Sequence, residues 1–224
     1  MIRNIDLSDI SDGKFYSIND LAKVGCNDCR GCSKCCRNMG NSIVLDPLDV
    51  HRILSAKNAK FEEFLIDKFE LNMVDGIILP NIRMNSSLQC PFLGEDERCS
   101  IHSCRPGFCR IFPLGRIYED NDYKYILQIH ECPKEPKSKV KVKNWISEDN
   151  LTKNHDFIRD WHYFLLAAGE KLQHENEDNI KRITMFILNM FYLTPFRKDV
   201  DFYDSFNERL KNAKSALNID LQNK

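Results

Sequence analysis

In the first 135 residues, the hydrophobic positions form short segments separated by polar turns. Residues 43–45 and 76–83 are predicted to be strands, because they are apolar and bounded by turn-forming residues. Residues 114–118 and 123–129 flank a Glu-Asp-Asn-Asp turn, which predicts a β-hairpin. The pattern therefore indicates a mixed, loop-rich region.

Two helices are predicted within the same region. Asp46-Pro47, followed by Asp49, indicates a helix start, because a carboxylate caps the first backbone N–H groups and proline suits the first turn. This helix is predicted to end near Ala56, and a second helix is predicted over residues 61–69.

After residue 145 the hydrophobic positions follow a helical period. Residues 180–192 are apolar on nearly all sides, which predicts a buried helix that ends at Thr194-Pro195. Two further helices are indicated by apolar stripes at Phe157, Trp161, Phe164, Leu165, Ala168 and Leu172, and at Phe202, Phe206, Leu210, Ala213 and Leu217.

We therefore predict an α+β fold with two parts. A loop-rich cysteine-cluster domain with short helices and a β-hairpin covers residues 20–135, and a three-helix region covers residues 145–224. The Pro- and Lys-rich residues 133–139 are predicted to form a linker between them.

Composition and charge exclude several classes of protein. The chain has 32 Lys and Arg against 33 Asp and Glu, so it lacks the basic excess typical of nucleic-acid binders. Its N-terminus is polar and acidic, unlike a secretory signal. The longest apolar stretch, residues 183–193, is shorter than the roughly 20 residues of a membrane helix. We expect a cytoplasmic protein without membrane or nucleic-acid partners.

Ten cysteines change this picture, and all of them lie in the first part of the chain. Cytosolic thiols are kept reduced, so a clustered set is more often a metal site than a disulfide framework, which is the alternative. The predicted metal ligands are Cys26, Cys29, Cys32, Cys35, Cys36, Cys90, Cys99, Cys104, Cys109 and Cys132.

The spacing leaves two kinds of metal site open. Zinc needs four tetrahedral ligands, and one close pair from the first run could be completed by cysteines of the second. Alternatively, Cys26, Cys29, Cys32 and Cys36 follow the C-x2-C-x2-C-x3-C spacing of bacterial ferredoxins, with Arg37 in place of the usual proline. In those proteins a remote cysteine completes the first cluster, and Cys132 or Cys90 could do so here. The spacing favours an iron–sulfur cluster over zinc.

Several other residues could support such a site. Arg105 and Arg110 lie between predicted ligands and are candidate cofactor-binding residues, because nearby cations lower the pKa of thiols. His102 and His130 are close to cysteines and could complete a metal site. The helix start already accounts for Asp46 and Asp49.

At these residues the sequence resembles the CxxCxxCC (YkgJ-like) family of zinc- or iron-chelating domains. The shared motifs are CRGCSKCC at residues 29–36, CPFL at 90–93, CSIH at 99–102, RP at 105–106, CRIFP at 109–113 and CP at 132–133. The resemblance implies that the ligands are Cys29, Cys32, Cys35, Cys36, Cys90, Cys99, Cys109 and Cys132. Cys26 and Cys104 are additions in this chain.

Three functions follow from these observations. The first is a non-enzymatic metalloprotein whose site is structural or redox-active. The second is an S-adenosylmethionine-dependent protein lysine methyltransferase, because flagellin lysine N-methylases carry a similar cysteine cluster; the chain has no G-x-G loop. In the third, the metal only folds the first region, and the helical region binds a protein partner.

Overall fold

The computed structural model describes residues 7–26, 32–135 and 137–219. It confirms an α+β fold whose C-terminal part is helical. In chain order the helices and strands are α1 (Leu7–Ile10), β1 (Ser11–Tyr16), β2 (Leu21–Gly25), α2 (Pro47–Lys57), α3 (Phe61–Phe64), β3 (Phe69–Val74), β4 (Ile77–Ile82), α4 (Gly107–Ile111), β5 (Leu114–Glu119), β6 (Asp122–Gln128), β7 (Ser138–Lys141), α5 (Val142–Ile146), α6 (Leu151–Leu172), α7 (Glu177–Leu188) and α8 (Phe202–Leu217).

The strands of the described ranges form small antiparallel sheets with the orders β1-β6-β5, β2-β7 and β3-β4. The predicted hairpin is β5 and β6, which pair from Leu114 with Leu127 to Glu119 with Asp122. Its two turn residues, Asp120 and Asn121, have positive φ angles of 51° and 58°. Such a turn matches the right-handed twist of the strands, which explains why the polar turn predicts the hairpin correctly.

The predicted start of α2 is also confirmed. The Asp46 side chain accepts a hydrogen bond from the backbone N–H of Asp49, and the Asp49 side chain accepts one from the backbone N–H of Asp46. This capping box satisfies backbone donors that have no partner within the helix. The helix ends at Lys57, one residue beyond the predicted end.

Two predictions from the sequence are wrong. The helix predicted over residues 61–69 ends at Phe64, and Phe69 begins β3, which pairs along its whole length with β4. The predicted linker includes the first two residues of β7, which pairs with β2. In both cases pairing with another strand overrides the local pattern.

The predicted strand at residues 43–45 is a short extension beside β4. Val44 and Asn81 form an isolated bridge, and the backbone N–H of Leu45 donates to the carbonyl of Pro80. Its apolar side chains are buried in the core: Ile43 and Leu45 are at most 1% exposed.

The three predicted long helices are α6, α7 and α8. Helix α7 continues into a π-helical segment, Asn189–Leu193, just before Pro195. A short additional helix, α5, precedes them. Within the described residues, no helix has the length and apolar character needed to span a bilayer.

The helical region packs against the cysteine region. The Tyr192 hydroxyl donates to the carbonyl of Leu45 at 3.0 Å, and the rings of Tyr192 and Phe61 are 6.3 Å apart. Buried residues from both regions belong to one hydrophobic core. The predicted domain boundary between residues 135 and 145 stays a prediction. The cysteine region and the helical region share one hydrophobic core.

Candidate metal centre

Backbone pairing brings the first cysteine run beside the second. Cys35 and Cys36 lie in a 3-10 turn, Lys34–Cys36, and the backbone N–H of Cys90 donates to the carbonyl of Cys36 at 2.8 Å. Arg37 and Gln89 form a bridge next to this contact. The pairing places Cys36 and Cys90 next to each other, although they are far apart in sequence.

Cys90 and Cys99 lie at the two ends of a tight loop. Leu93 and Cys99 form an antiparallel bridge, and the backbone N–H of Ser100 donates to the carbonyl of Phe92 at 2.8 Å. Glu97 at the tip of the loop forms an ion pair with Arg37, with an Nη2–Oε1 distance of 2.6 Å. The loop is thereby joined to the first cysteine run.

Cys109 reaches the same place from α4. The start of this helix is held by the side chain of Asp49, whose Oδ1 accepts a hydrogen bond of 2.7 Å from the backbone N–H of Gly107. The sequence analysis explained Asp49 only as the third residue of α2. Its second role joins two segments 58 residues apart, for which the sequence contains no signal.

These contacts create a cavity of about 60 Å³, here called the first cavity. Its walls include apolar side chains such as Ile43 and Phe92, together with His102 and Arg105. Cysteines from both runs line it: Cys32, Cys35, Cys36, Cys90, Cys99 and Cys109.

A second, smaller cavity of about 20 Å³ lies beside Trp145. Its cysteines are Cys26, Cys32, Cys35 and Cys132. Cys32 and Cys35 thus border both cavities, whereas the other cysteines that line a cavity belong to only one.

Burial governs the acid–base behaviour of the thiols in the first cavity. It raises the pKa of Cys90 to about 11, and backbone N–H groups of Phe92 and Leu93 offset part of this effect. Burial also raises the pKa of Cys109 well above its usual range, with further contributions from repulsion by Cys35 and Cys90. These two thiols are protonated at neutral pH, so a metal ion must displace their protons to bind.

A similar balance operates at Cys35 and Cys99. The hydrogen bond with Cys36, burial and repulsion by Cys36 raise the pKa of Cys35, while the Arg105 guanidinium lowers it. Burial raises the pKa of Cys99, whereas the backbone N–H of Ile101 and the Arg105 guanidinium lower it. The charge of Arg105 therefore favours the thiolate forms of Cys35 and Cys99.

The two predicted cofactor-binding arginines occupy different places. Arg105 lines the first cavity and its Nη1 donates to Nε2 of His102 at 3.0 Å. Arg110 instead forms an ion pair with Glu148 at 3.2 Å and lines a charged cavity between α2 and α4 with Arg52 and Arg116. Arg110 does not line the first cavity, and its predicted role in binding a cofactor stays a prediction.

The remaining predicted residues divide as follows. Of the cysteines that the structure describes, Cys104 alone lines neither cavity. His102 lines the first cavity, whereas His130 is exposed. Cys29 lies outside the described residues. None of the nine cysteines within the described ranges forms a disulfide, so they do not form the alternative framework.

The chemistry of the cysteines favours metal binding, but their positions do not form a ready metal site. Buried thiols near an arginine are suitable ligands for zinc or iron. Among the described residues, however, no group of three or more His, Cys, Asp or Glu side chains is arranged to hold a single ion. The cysteines therefore converge on shared cavities, but binding would have to draw their sulfurs together.

Comparison with known proteins supports the same chemistry. No curated protein and no solved structure matches the chain. A family model described as "Putative zinc- or iron-chelating domain" matches residues 28–139, which is half of the 224 residues and includes both cavities except Cys26 and Trp145. This chain belongs to the CxxCxxCC family.

Proposed function

We propose that this protein is a metalloprotein that holds an iron–sulfur cluster in the first cavity, with a structural or redox role. The observation that carries the proposal is the convergence of cysteines from separate chain segments. Cys36 and Cys90 meet through backbone pairing, and Cys109 joins them from α4. The family description supports zinc or iron as the metal.

The placement of the first cysteine run favours a cluster over a single zinc ion. Cys26 and Cys36 lie at different cavities, and in two-cluster ferredoxins the fourth cysteine of the run also serves a different cluster from the first three.

The decisive experiment is metal analysis of the full chain purified without oxygen. We expect several iron atoms with acid-labile sulfide per chain, and a broad visible absorption that bleaches on reduction. A colourless protein with stoichiometric zinc would keep the metalloprotein but eliminate the cluster. A protein that contains no metal and binds none on reconstitution would refute the proposal.

A variant pair locates the metal. Replacing Cys90 and Cys99 with serine removes two thiols of the first cavity, so we expect loss of the metal bound there. Cys104→Ser is the matched control, because Cys104 is a half-buried cysteine that lines neither cavity among those described. Equal metal loss in the control would show that the cavity does not select the ligands.

The other functions predicted from the sequence remain without such support. No comparison favours the S-adenosylmethionine-dependent methyltransferase, and the protein partner of the helical region stays a prediction. We also propose the cytosol as the compartment, because reducing conditions keep thiols available for a metal.

A further inference from the structure

A larger cavity, of about 520 Å³, lies between the cysteine region and the helical region and is here called the interface cavity. One of its walls is a face of α2 that includes Pro47, His51 and Leu54, and another is formed by residues 191–196. It shares no lining residue with the two cysteine cavities. Pockets for small molecules have volumes of roughly 300–1,000 Å³ and often lie between domains, so this cavity has a suitable size and place.

The buried lining of the interface cavity is aromatic. Its buried aromatic side chains are Phe61, Phe191, Tyr192 and Phe196. The rings of Phe61 and Tyr192 are 6.3 Å apart, and the half-buried ring of His51 lies edge-on to Phe196 at 5.8 Å. Aromatic rings favour stacked or edge-to-face contacts with one another. The interior therefore suits a ligand that contains an aromatic ring.

Arg209 holds the wall that the helical region contributes. Its guanidinium donates to the carbonyls of Met190, Thr194 and Pro195, each at 2.7 Å, and lies 3.9 Å from the centre of the Phe196 ring. This wall begins in the π-helical segment, and π-helical turns are rare and frequently occur at functional sites. Specific contacts thus fix the shape of the cavity.

The surroundings of His51 are positively charged. Burial lowers the pKa of His51, and the charges of Arg52, Lys198 and Arg209 lower it further. The imidazole is therefore uncharged at neutral pH, and its one N–H group can donate to an anion. The positive charges that disfavour a protonated imidazole would favour a negative group in the same place.

We propose that the interface cavity binds a small aromatic carboxylate, with its ring among the buried aromatic side chains and its carboxylate beside His51 and Lys198. Glu62 and Glu63 line the cavity from α3 and, with Lys60 before them, give that side a net negative charge. They would repel the carboxylate there, so the charges favour one orientation of the ligand. The inference goes beyond the proposed function, because it assigns a second site with a different chemistry.

The test is a fluorescence titration of the full chain with 8-anilino-1-naphthalenesulfonate, an aromatic anion whose emission increases in apolar sites. We expect about one equivalent per chain, and displacement of the dye by 4-phenylbutyrate. The matched uncharged compounds are N-phenyl-1-naphthylamine, which lacks the sulfonate, and 4-phenyl-1-butanol, which lacks the carboxylate. The first should bind more weakly than the anionic dye, and the second should displace that dye less effectively than 4-phenylbutyrate.

Two pairs of variants locate the site. Ser55 is exposed and lines the cavity, so Ser55→Trp should fill it and abolish dye binding, whereas Ser55→Ala should not. Lys198→Gln should weaken binding of the anionic dye about threefold and leave the uncharged dye unaffected. Lys57→Gln removes an exposed lysine of α2 that does not line the cavity, and it should have no effect. Circular dichroism reports whether each variant folds.

Three outcomes would overturn the inference. Equal affinity for charged and uncharged compounds would exclude a carboxylate site. Unchanged binding in folded Ser55→Trp would place the dye elsewhere. Loss of binding in Met185→Lys would assign the dye to the groove beside α7 and α8, where Met185 is 52% exposed. Metal analysis of the same preparations tests the proposed function separately, because no cysteine lines the interface cavity.

Discussion

Asp49 connects two helices, because its Oδ1 accepts a 2.7 Å hydrogen bond from the backbone N–H of Gly107 while its Oδ2 accepts from that of Asp46. Asp46 and Asp49 cap α2, and Gly107 begins α4, which contains Cys109. One carboxylate thus holds the N-terminal ends of two helices and fixes a thiol of the first cavity relative to the core.

We expect Asp49→Ala to destabilise the fold by about 2–3 kcal/mol, because it removes a helix cap and leaves a backbone N–H without its acceptor. Asp49→Asn should cost less, since its amide oxygen can still accept from Gly107. Urea denaturation measures both. Asp178→Asn, an exposed acid in the first turn of α7, is the control and should change stability by less than about 0.5 kcal/mol.

The same carboxylates make stability depend on pH. Burial raises the pKa of Asp46 to about 6, and burial together with repulsion by Asp46 raises the pKa of Asp49 well above its usual range. Their protonated forms are favoured in the folded state, so this contribution is complete below about pH 4 and is lost as the pH rises.

Asp49→Asn lacks one of these groups, and its stability relative to wild type should therefore increase between pH 4 and pH 7. Urea denaturation of both proteins across this range measures the difference. A difference that stays constant with pH, or decreases, would contradict the assigned cause.

Arg105 should control the thiols of the first cavity. Its charge lowers the pKa of Cys35 and of Cys99 against the opposing effect of burial. Arg105→Gln should raise both pKa values, slow alkylation by iodoacetamide and weaken Co²⁺ binding by about tenfold, the effect of roughly one pKa unit. Arg105→Lys keeps the charge and should recover most of the loss. Equal behaviour of the two variants would exclude an electrostatic role.

Gly25 permits the close approach of β2 and β7. A Cβ atom at this position would lie 2.1 Å from Oγ of Ser138 and 3.2 Å from its carbonyl oxygen. Gly25→Ala should therefore separate the strands, destabilise the fold by about 1–3 kcal/mol and shift the emission of Trp145. Adding Ser138→Gly removes the nearest clash and should restore part of the stability in urea denaturation. No recovery would indicate that backbone contacts dominate.

Glu148 holds two arginines in the interior between the cysteine region and α6. It accepts two hydrogen bonds from Arg52, at 2.8 and 2.7 Å, and its side chain is 4% exposed. Glu148→Gln should cost about 3 kcal/mol, because Arg52 and Arg110 lose a buried counter-charge.

The exposed pair of Arg197 and Asp199 supplies the control for this prediction, with both side chains about 70% exposed. Asp199→Asn should leave the free energy of unfolding essentially unchanged, because solvent screens such pairs. Similar costs for the two variants in urea denaturation would contradict the difference in burial.

The sequence by itself determined the features that depend on neighbours a few residues apart. Asp46-Pro47 predicts α2 because a cap and a proline act within one turn, and the turn at Asp120 predicts the hairpin because its conformation is local. The helical stripes likewise predict α6 and α8. The cysteine motifs identify the family, since their order is a property of the chain alone.

Only the tertiary structure decided which cysteines share a cavity. The Lys-rich β7 lacks a hydrophobic pattern, and it forms because β2 supplies its hydrogen-bond partners. That pairing takes Cys26 to Cys132, while the backbone contact with Cys90 takes Cys36 to the other cavity. The spacing cannot show which cavity each cysteine of one run lines, because this depends on partners more than 50 residues away along the chain.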